Sequence, residues 1–190
     1  MDWVSGLRRT QTIRSEFLKD VAATLTRPFA LRQIRRLDPM RKFSITIDIA
    51  APAERVWQVM SDTDRWHEWT PSVTSVKRLG GGAFVVGSRV VIRQPRFPPA
   101  LWKLTAIEPG KSFTWISTAP GLRVVARHRV EPTVAGSRAT LSLDLQGIFG
   151  GVFGRMTKDV TERYLAFEAS GLKARSENPS YRHGKKDPSQ

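Results

Sequence analysis

The residues from Gly150 to about Arg175, GGVFGRMTKDVTERYLAFEASGLKAR, constrain this chain more than any other stretch. Phe149, Phe153, Met156, Val160, Tyr164 and Phe167 recur in steps of three and four, and the small residues Gly171 and Ala174 continue the series. Those steps place them on one stripe of a helix. Arg155, Lys158, Asp159, Glu162 and Arg163 fall mostly off the stripe, which predicts one wet face and one buried face. At ~1.5 Å per residue the helix would run on the order of 39 Å, enough to cross a small domain. Upstream of it, from Phe43 onward, the chain reads as strands and turns. A long helix that follows a run of strands has to bury its apolar stripe against their sheet, so the expected class is α+β rather than an alternating doubly wound fold.

Composition narrows the partners. The chain has 190 residues with 40% hydrophobic content, which suits one core with extensions. It contains no cysteine, so disulfides, thiolate zinc sites and cysteine nucleophiles are excluded together, in keeping with a reducing compartment. Three histidines leave little for a metal, and none is expected. Lys and Arg number 31 against 17 Asp and Glu, a net charge of +14. A balance this basic admits nucleic acid, anionic lipid or acidic ligands as partners. No apolar run approaches the length of a membrane span and no secretory leader is evident, so the expected location is cytoplasmic.

Taken in order, residues 1–39 form a basic extension with a weakly amphipathic stretch from about Ser15 to Thr26. It reads either as a flexible segment or as a peripheral anchor on an anionic membrane. FSITIDIA, from Phe43 to Ala50, alternates apolar and polar side chains and predicts a strand with one buried face. Pro52 and Glu54 open a short helix, with Pro52 at its first position, that offers Val56, Trp57, Val59 and Met60 for burial. A second short helical stretch carries Trp66 and Trp69, which should close one end of the core. Strands then follow at short intervals: VTSVKRL, AFVV continuing into SRVVIRQ, ALWKLTAIE, KSFTWIST, LRVVARHRVE and SRATLSLDLQ. Pro95, Pro98 and Pro99 should keep the link before ALWKLTAIE irregular. With the first strand, this predicts a seven-stranded antiparallel sheet. Residues 178–190 are polar and proline-interrupted and read as a disordered tail.

The segments IDIAAPAERVWQVMSDTDRWHEWTPSV at 47–73, IEPGKSFTW at 107–115, HRVEP at 128–132 and RYLAFEASGLKARSE at 163–177 stand in an order and spacing that resemble the START-like, or SRPBCC, superfamily. The likeness is to its polyketide cyclase/dehydrase and lipid-transport branch, and it covers residues 40–177 as one domain. The resemblance implies a helix-grip fold, in which a curved seven-stranded sheet wraps around the long C-terminal helix after two short helices. It also implies an apolar cavity between them that binds lipids, polyketides or similar hydrophobic molecules. Some relatives are cyclases and many only bind.

Strand parity forecasts the cavity wall independently. Apolar alternation turns Leu141, Leu143 and Leu145 inward, with Thr140, Ser142 and Asp144 outside. The same reasoning turns in Phe113 and Trp115, then Trp102, Leu104 and Ala106, and then Val124, Ala126, His128 and Val130. From the helix, Met156, Val160, Tyr164 and Phe167 should border any void, with the Tyr164 phenol as a polar handle. The candidate ligand-binding set is therefore Trp102, Leu104, Phe113, Trp115, Ala126, His128, Leu141, Leu143, Met156, Val160, Tyr164 and Phe167. Core packing is the alternative account of the same aromatic stripe, because each ring offers ~150–250 Å² to bury.

His128 is the one titratable ring on an inward face, and so the candidate acid/base or hydrogen-bonding group. The alternative is a core histidine satisfied by backbone or by Tyr164. His67, between the two tryptophans, reads as a surface residue. No nucleophile elbow, zinc-protease helix or phosphate-binding loop is present, so no cofactor is called for. Gly147, Gly150, Gly151 and Gly154 precede a helix but lack the lysine or serine of an anion site. Asp48 and Asp144 fall on polar strand faces and do not make an internal carboxylate pair. The leading reading is a binding protein for a hydrophobic small molecule, with cyclase or dehydrase activity as its enzymatic extension. The competing reading is an interaction module that binds RNA, the ribosome or another anionic partner through arginines such as Arg89, Arg93, Arg123, Arg127 and Arg129.

Overall fold

The computed structural model describes residues 41–183. The expectations for residues 1–39 and for the end of the tail, from 184 onward, lie outside the described residues. Seven strands form one antiparallel sheet in the order β1-β7-β6-β5-β4-β3-β2. They are β1 Arg41–Ile49, β2 Ser75–Leu79, β3 Arg89–Gln94, β4 Phe97–Glu108, β5 Ser112–Ala119, β6 Leu122–Thr133 and β7 Gly136–Gln146. Strands β2 to β7 are a simple meander, and β1 adds to its far edge beside β7. The curved sheet and the helix that it holds are the helix-grip arrangement.

Between β1 and β2 run helix α1, Ala53–Ser61, a short 3-10 turn at Thr63–Arg65, and helix α2, Trp66–Trp69. Pro52 stands one position earlier than the sequence suggests. It is the N-cap of α1, and its carbonyl accepts from the amides of Arg55 and Val56. Helix α1 buries Ala53, Val56, Val59 and Met60. The Trp66 indole N–H donates to the Met60 carbonyl at 3.1 Å, which ties α2 under α1.

The long C-terminal helix is two helices. Helix α3 spans Gly150–Met156 and helix α4 spans Lys158–Glu177, and they meet at Thr157. The Thr157 hydroxyl donates to the Phe153 carbonyl at 2.9 Å, a back-bond that bends helices. The expected stripe breaks there as well. Met156 is 81% exposed, and Phe149 and Phe167 are exposed too, together with Ile148 and Val152. The face that α4 buries keeps Gly171 of that stripe and otherwise consists of Thr161, Ala169, Leu172, Arg175 and Ser176.

Gly171 shows how closely that face packs. A Cβ there would lie 2.3 Å from the Trp69 carbonyl oxygen, so α4 can cross α2 at this distance only on glycine. The end of α4 is also pinned to the end of β1. The Glu177 carboxylate accepts from the Ala50 amide at 2.7 Å and from Lys173 Nζ at 2.6 Å, and Lys173 also donates to the Asp48 carbonyl.

Three local readings of the sequence change. AFVV, residues 83–86, is a turn rather than strand, although Phe84 still packs edge-on against Phe113. Strand β4 begins at Phe97 and includes Pro98 and Pro99. The ladder to β3 is irregular there, between Ile92 and Gln94, and β5 begins pairing only at Trp102, so neither proline has to donate. A second irregularity, between Leu104 and Ala106, shifts the parity of β4. Ala106 consequently faces out, and Ile107 takes the inward place opposite Phe113.

Residues 178–183 do not form a free tail. Arg175 Nη1 donates to the Tyr181 carbonyl at 2.7 Å, Arg182 pairs with Glu68, and the His183 amide donates to the Glu68 carbonyl. Burial beside Arg55 and Arg65 pushes the Arg175 guanidinium below its ordinary range, while Glu68 supplies a carboxylate 3.3 Å away.

Candidate functional site

The inner face of the sheet is built from cross-strand rows. Phe113, His128 and Leu141 pair across β5, β6 and β7, and Trp115, Ala126 and Leu143 form the next row. Trp102, Ser117, Val124 and Leu145 form the third. At one end this face is filled. Phe113, Leu104, Trp57, Trp66 and Trp69 belong to a single hydrophobic cluster under α1 and α2. Toward α3 and the first half of α4 a cavity of about 430 Å³ opens between the layers. That is within the ~300–1,000 Å³ span of small-molecule sites.

The sheet contributes Trp102, Trp115, Val124, Ala126, His128, Leu141, Leu143 and Leu145 to the wall. Phe153 comes from α3, and Thr161, Tyr164, Leu165 and Glu168 come from α4. Of the residues named from the sequence, Trp102, Trp115, Ala126, His128, Leu141, Leu143 and Tyr164 line the cavity. Leu104 and Phe113 lie behind it in the filled end, buried to 1% exposure. Val160 lies outside the wall and Phe167 is exposed, because the buried face of α4 is turned by one residue from the expected stripe, and Met156, at the end of α3, is exposed before the break at Thr157. Tyr164 is not the partner of His128. Its hydroxyl accepts from the Arg96 amide at 3.1 Å, and its ring meets Phe97 edge-on.

The histidine's partner is Glu168, which the sequence reading did not single out. His128 Nε2 and Glu168 Oε1 lie 2.6 Å apart and share one hydrogen bond. The imidazole is 4% exposed, stacks on Phe113 at 4.4 Å between centroids, and meets the rings of Trp66 and Trp115 at 5.3 and 5.6 Å. Its Nδ1 is buried without a partner among the described residues. The only available signal was spacing: Thr161, Leu165, Glu168, Leu172 and Arg175 also recur at helical intervals. A stripe of mixed polarity does not declare itself as buried. An imidazole and a carboxylate in this arrangement can pass a proton between them, and together they can orient a polar group of a bound molecule.

His67 is exposed, and its carbonyl accepts from His183 Nε2 at 2.9 Å. Asp48 is held by Arg138 at 2.7 Å and Asp144 by Arg127 at 2.7 Å, both on the outer face of the sheet. The Arg138 guanidinium keeps the Asp48 carboxyl below the usual carboxylate range. Among the described residues no group of three or more His, Asp or Glu side chains is placed to hold a metal, and no helix is long and apolar enough to cross a membrane.

Comparison with known proteins agrees with this architecture. Residues 40–177 match the family described as polyketide cyclase / dehydrase and lipid transport, and the chain belongs to that family. The family is associated with the binding of hydrophobic small molecules. Among solved structures, the Zhui aromatase/cyclase from a Streptomyces species superposes with a TM-score of 0.61 at 20% identity, over 77% of this chain and 99% of that one. A norcoclaurine synthase from Thalictrum flavum, crystallised with a transition-state analogue, gives 0.60 at 16% identity over 75% and 97%. The di-domain aromatase/cyclase StfQ of steffimycin biosynthesis gives 0.60 at 14% identity, over 90% of this chain and 61% of that one. At these identities the likeness is one of fold. No curated protein sequence matches the chain significantly.

Proposed function

We propose that this protein binds a hydrophobic small molecule, a lipid, polyketide or similar compound, in the cavity between the sheet and α4. One observation carries the reading: a space of about 430 Å³ walled by Trp, Leu, Val and Phe side chains, with a single imidazole–carboxylate pair set into it. Burial of an apolar molecule against such walls contributes roughly 25 cal/mol per Å² of surface removed from water, and the polar pair would fix its orientation. Native mass spectrometry of freshly purified protein tests this. A co-purified small molecule is expected, and its release should lower the melting temperature. A clean apo mass, together with no thermal shift from any member of a lipid and polyketide panel, would count against it.

The His128–Glu168 pair favours a second reading, cyclase or dehydrase chemistry on the bound molecule. In that role the pair would take a proton from an activated carbon and return one to a departing oxygen. His128→Leu separates the two readings: a binder keeps most of its affinity, whereas an enzyme loses turnover by roughly 10²–10⁴-fold. For an RNA partner, two of the five outer-face arginines named for it, Arg127 and Arg129, are already engaged, with Asp144 and Glu131.

A further inference from the structure

The positive charge of the chain is not carried into its cavity. The protein carries +14 overall, yet among the described residues no lysine or arginine lines the cavity. The ionisable groups in the wall are His128, Glu168 and Tyr164. A carboxylate or phosphate group carried deep into this space would find no cation to replace its water.

The imidazole offers such an anion no hydrogen bond. Its Nε2 is committed to Glu168, and its Nδ1 is closed off from any bound molecule by the surrounding side chains. What the pair leaves open is an acceptor. Glu168 Oε1 is taken by His128, and Oε2 has no hydrogen-bond partner among the described residues, on a side chain that stays 14% exposed in the cavity wall. Wherever the shared proton sits between Oε1 and Nε2, Oε2 accepts.

From this geometry, and resting on the cavity reading above, we infer that the ligand is a non-anionic molecule that presents a hydrogen-bond donor, a hydroxyl or phenol, to Glu168 Oε2. Acidic amphiphiles such as free fatty acids are then disfavoured in spite of the basic surface. Surface charge would draw anions to the outside of the protein, and the interior would refuse them.

Four probes on one bicyclic skeleton test the inference by equilibrium dialysis against the full chain: 2-naphthol, 2-methylnaphthalene, 2-naphthoate and 2-naphthylmethanol. The two hydroxyl probes should bind about tenfold more tightly than the hydrocarbon, the effect of roughly one hydrogen bond, and the carboxylate should bind most weakly. In Glu168→Leu the advantage of the hydroxyl over the methyl probe should vanish while the hydrocarbon still binds. The wild-type series decides the matter even where that variant fails to fold. Naphthoate binding as tightly as naphthol, or naphthol no better than methylnaphthalene, would overturn the inference and leave the cavity reading standing. No binding by any of the four would overturn both.

Discussion

The two ends of the sheet's inner face are made of the same kinds of residue and differ in what is done with them. Under α1 and α2, Trp69, Phe113 and Leu104 are packed to exclusion, each at 2% exposure or less. Toward α3, side chains of equal size, among them Trp102, Leu143 and Phe153, border open space. The covering helices differ between the two ends. Gly171 lets α4 settle directly onto α2 at one end, while at the other the helix is interrupted at Thr157, and α3 meets Arg41 of β1 at Gly154. An apolar strand face is therefore necessary for a binding cavity, but where the void lies depends on how closely the covering helix can approach.

Substitutions should report this asymmetry. The largest effect is expected at the filled end. Trp69→Ala should cost about 3–5 kcal/mol of stability by urea denaturation, because a dense interior cannot collapse around the hole. Gly171→Ala should cost about 1–3 kcal/mol, since the new methyl meets backbone that cannot move aside. At the open end, Leu165→Ala should cost only about 1 kcal/mol, because one side of that side chain already lacks neighbours. Equal losses for Trp69→Ala and Leu165→Ala would erase the contrast.

The smallest effect concerns the clasp at the end of α4. Lys173, with the Ala50 amide, holds the Glu177 carboxyl below its ordinary value of 4.5. As pH falls the unfolded chain takes up its proton first. The contribution is therefore complete above about pH 4.5 and is lost as pH drops through the lowered folded-state value. Glu177→Gln should flatten the acid limb of the stability profile by less than about 1 kcal/mol, in keeping with a partly exposed pair. An unchanged acid limb would show that the clasp does not contribute.

Most of the strand architecture is legible in the sequence because alternation is a two-state signal. In β5, β6 and β7 each apolar residue of the repeat turns inward, and His128 is placed correctly by its neighbours alone. In β4 the same logic fails after Leu104, since one extra residue inverts the parity and nothing in TAIE marks where it is inserted. The C-terminal helices fail for a different reason. Phe149, Met156 and Phe167 look like core and are exposed, whereas Glu168 and Arg175 look like surface, yet Glu168 lines the cavity and Arg175 is buried. Those two are held in place by particular partners, His128 and Glu68, and pairings between residues so distant in sequence are not declared by the helical spacing alone.

A cavity-filling variant tests the central claim most directly. Leu143→Trp places a large ring at the middle of the open wall. The account predicts that it folds with stability within about 1 kcal/mol of the parent, because the ring enters space that is already there. It also predicts that the thermal shifts produced by hydrophobic ligands in the parent disappear in the variant. A variant that unfolds from overpacking, or that binds those ligands as the parent does, would contradict it.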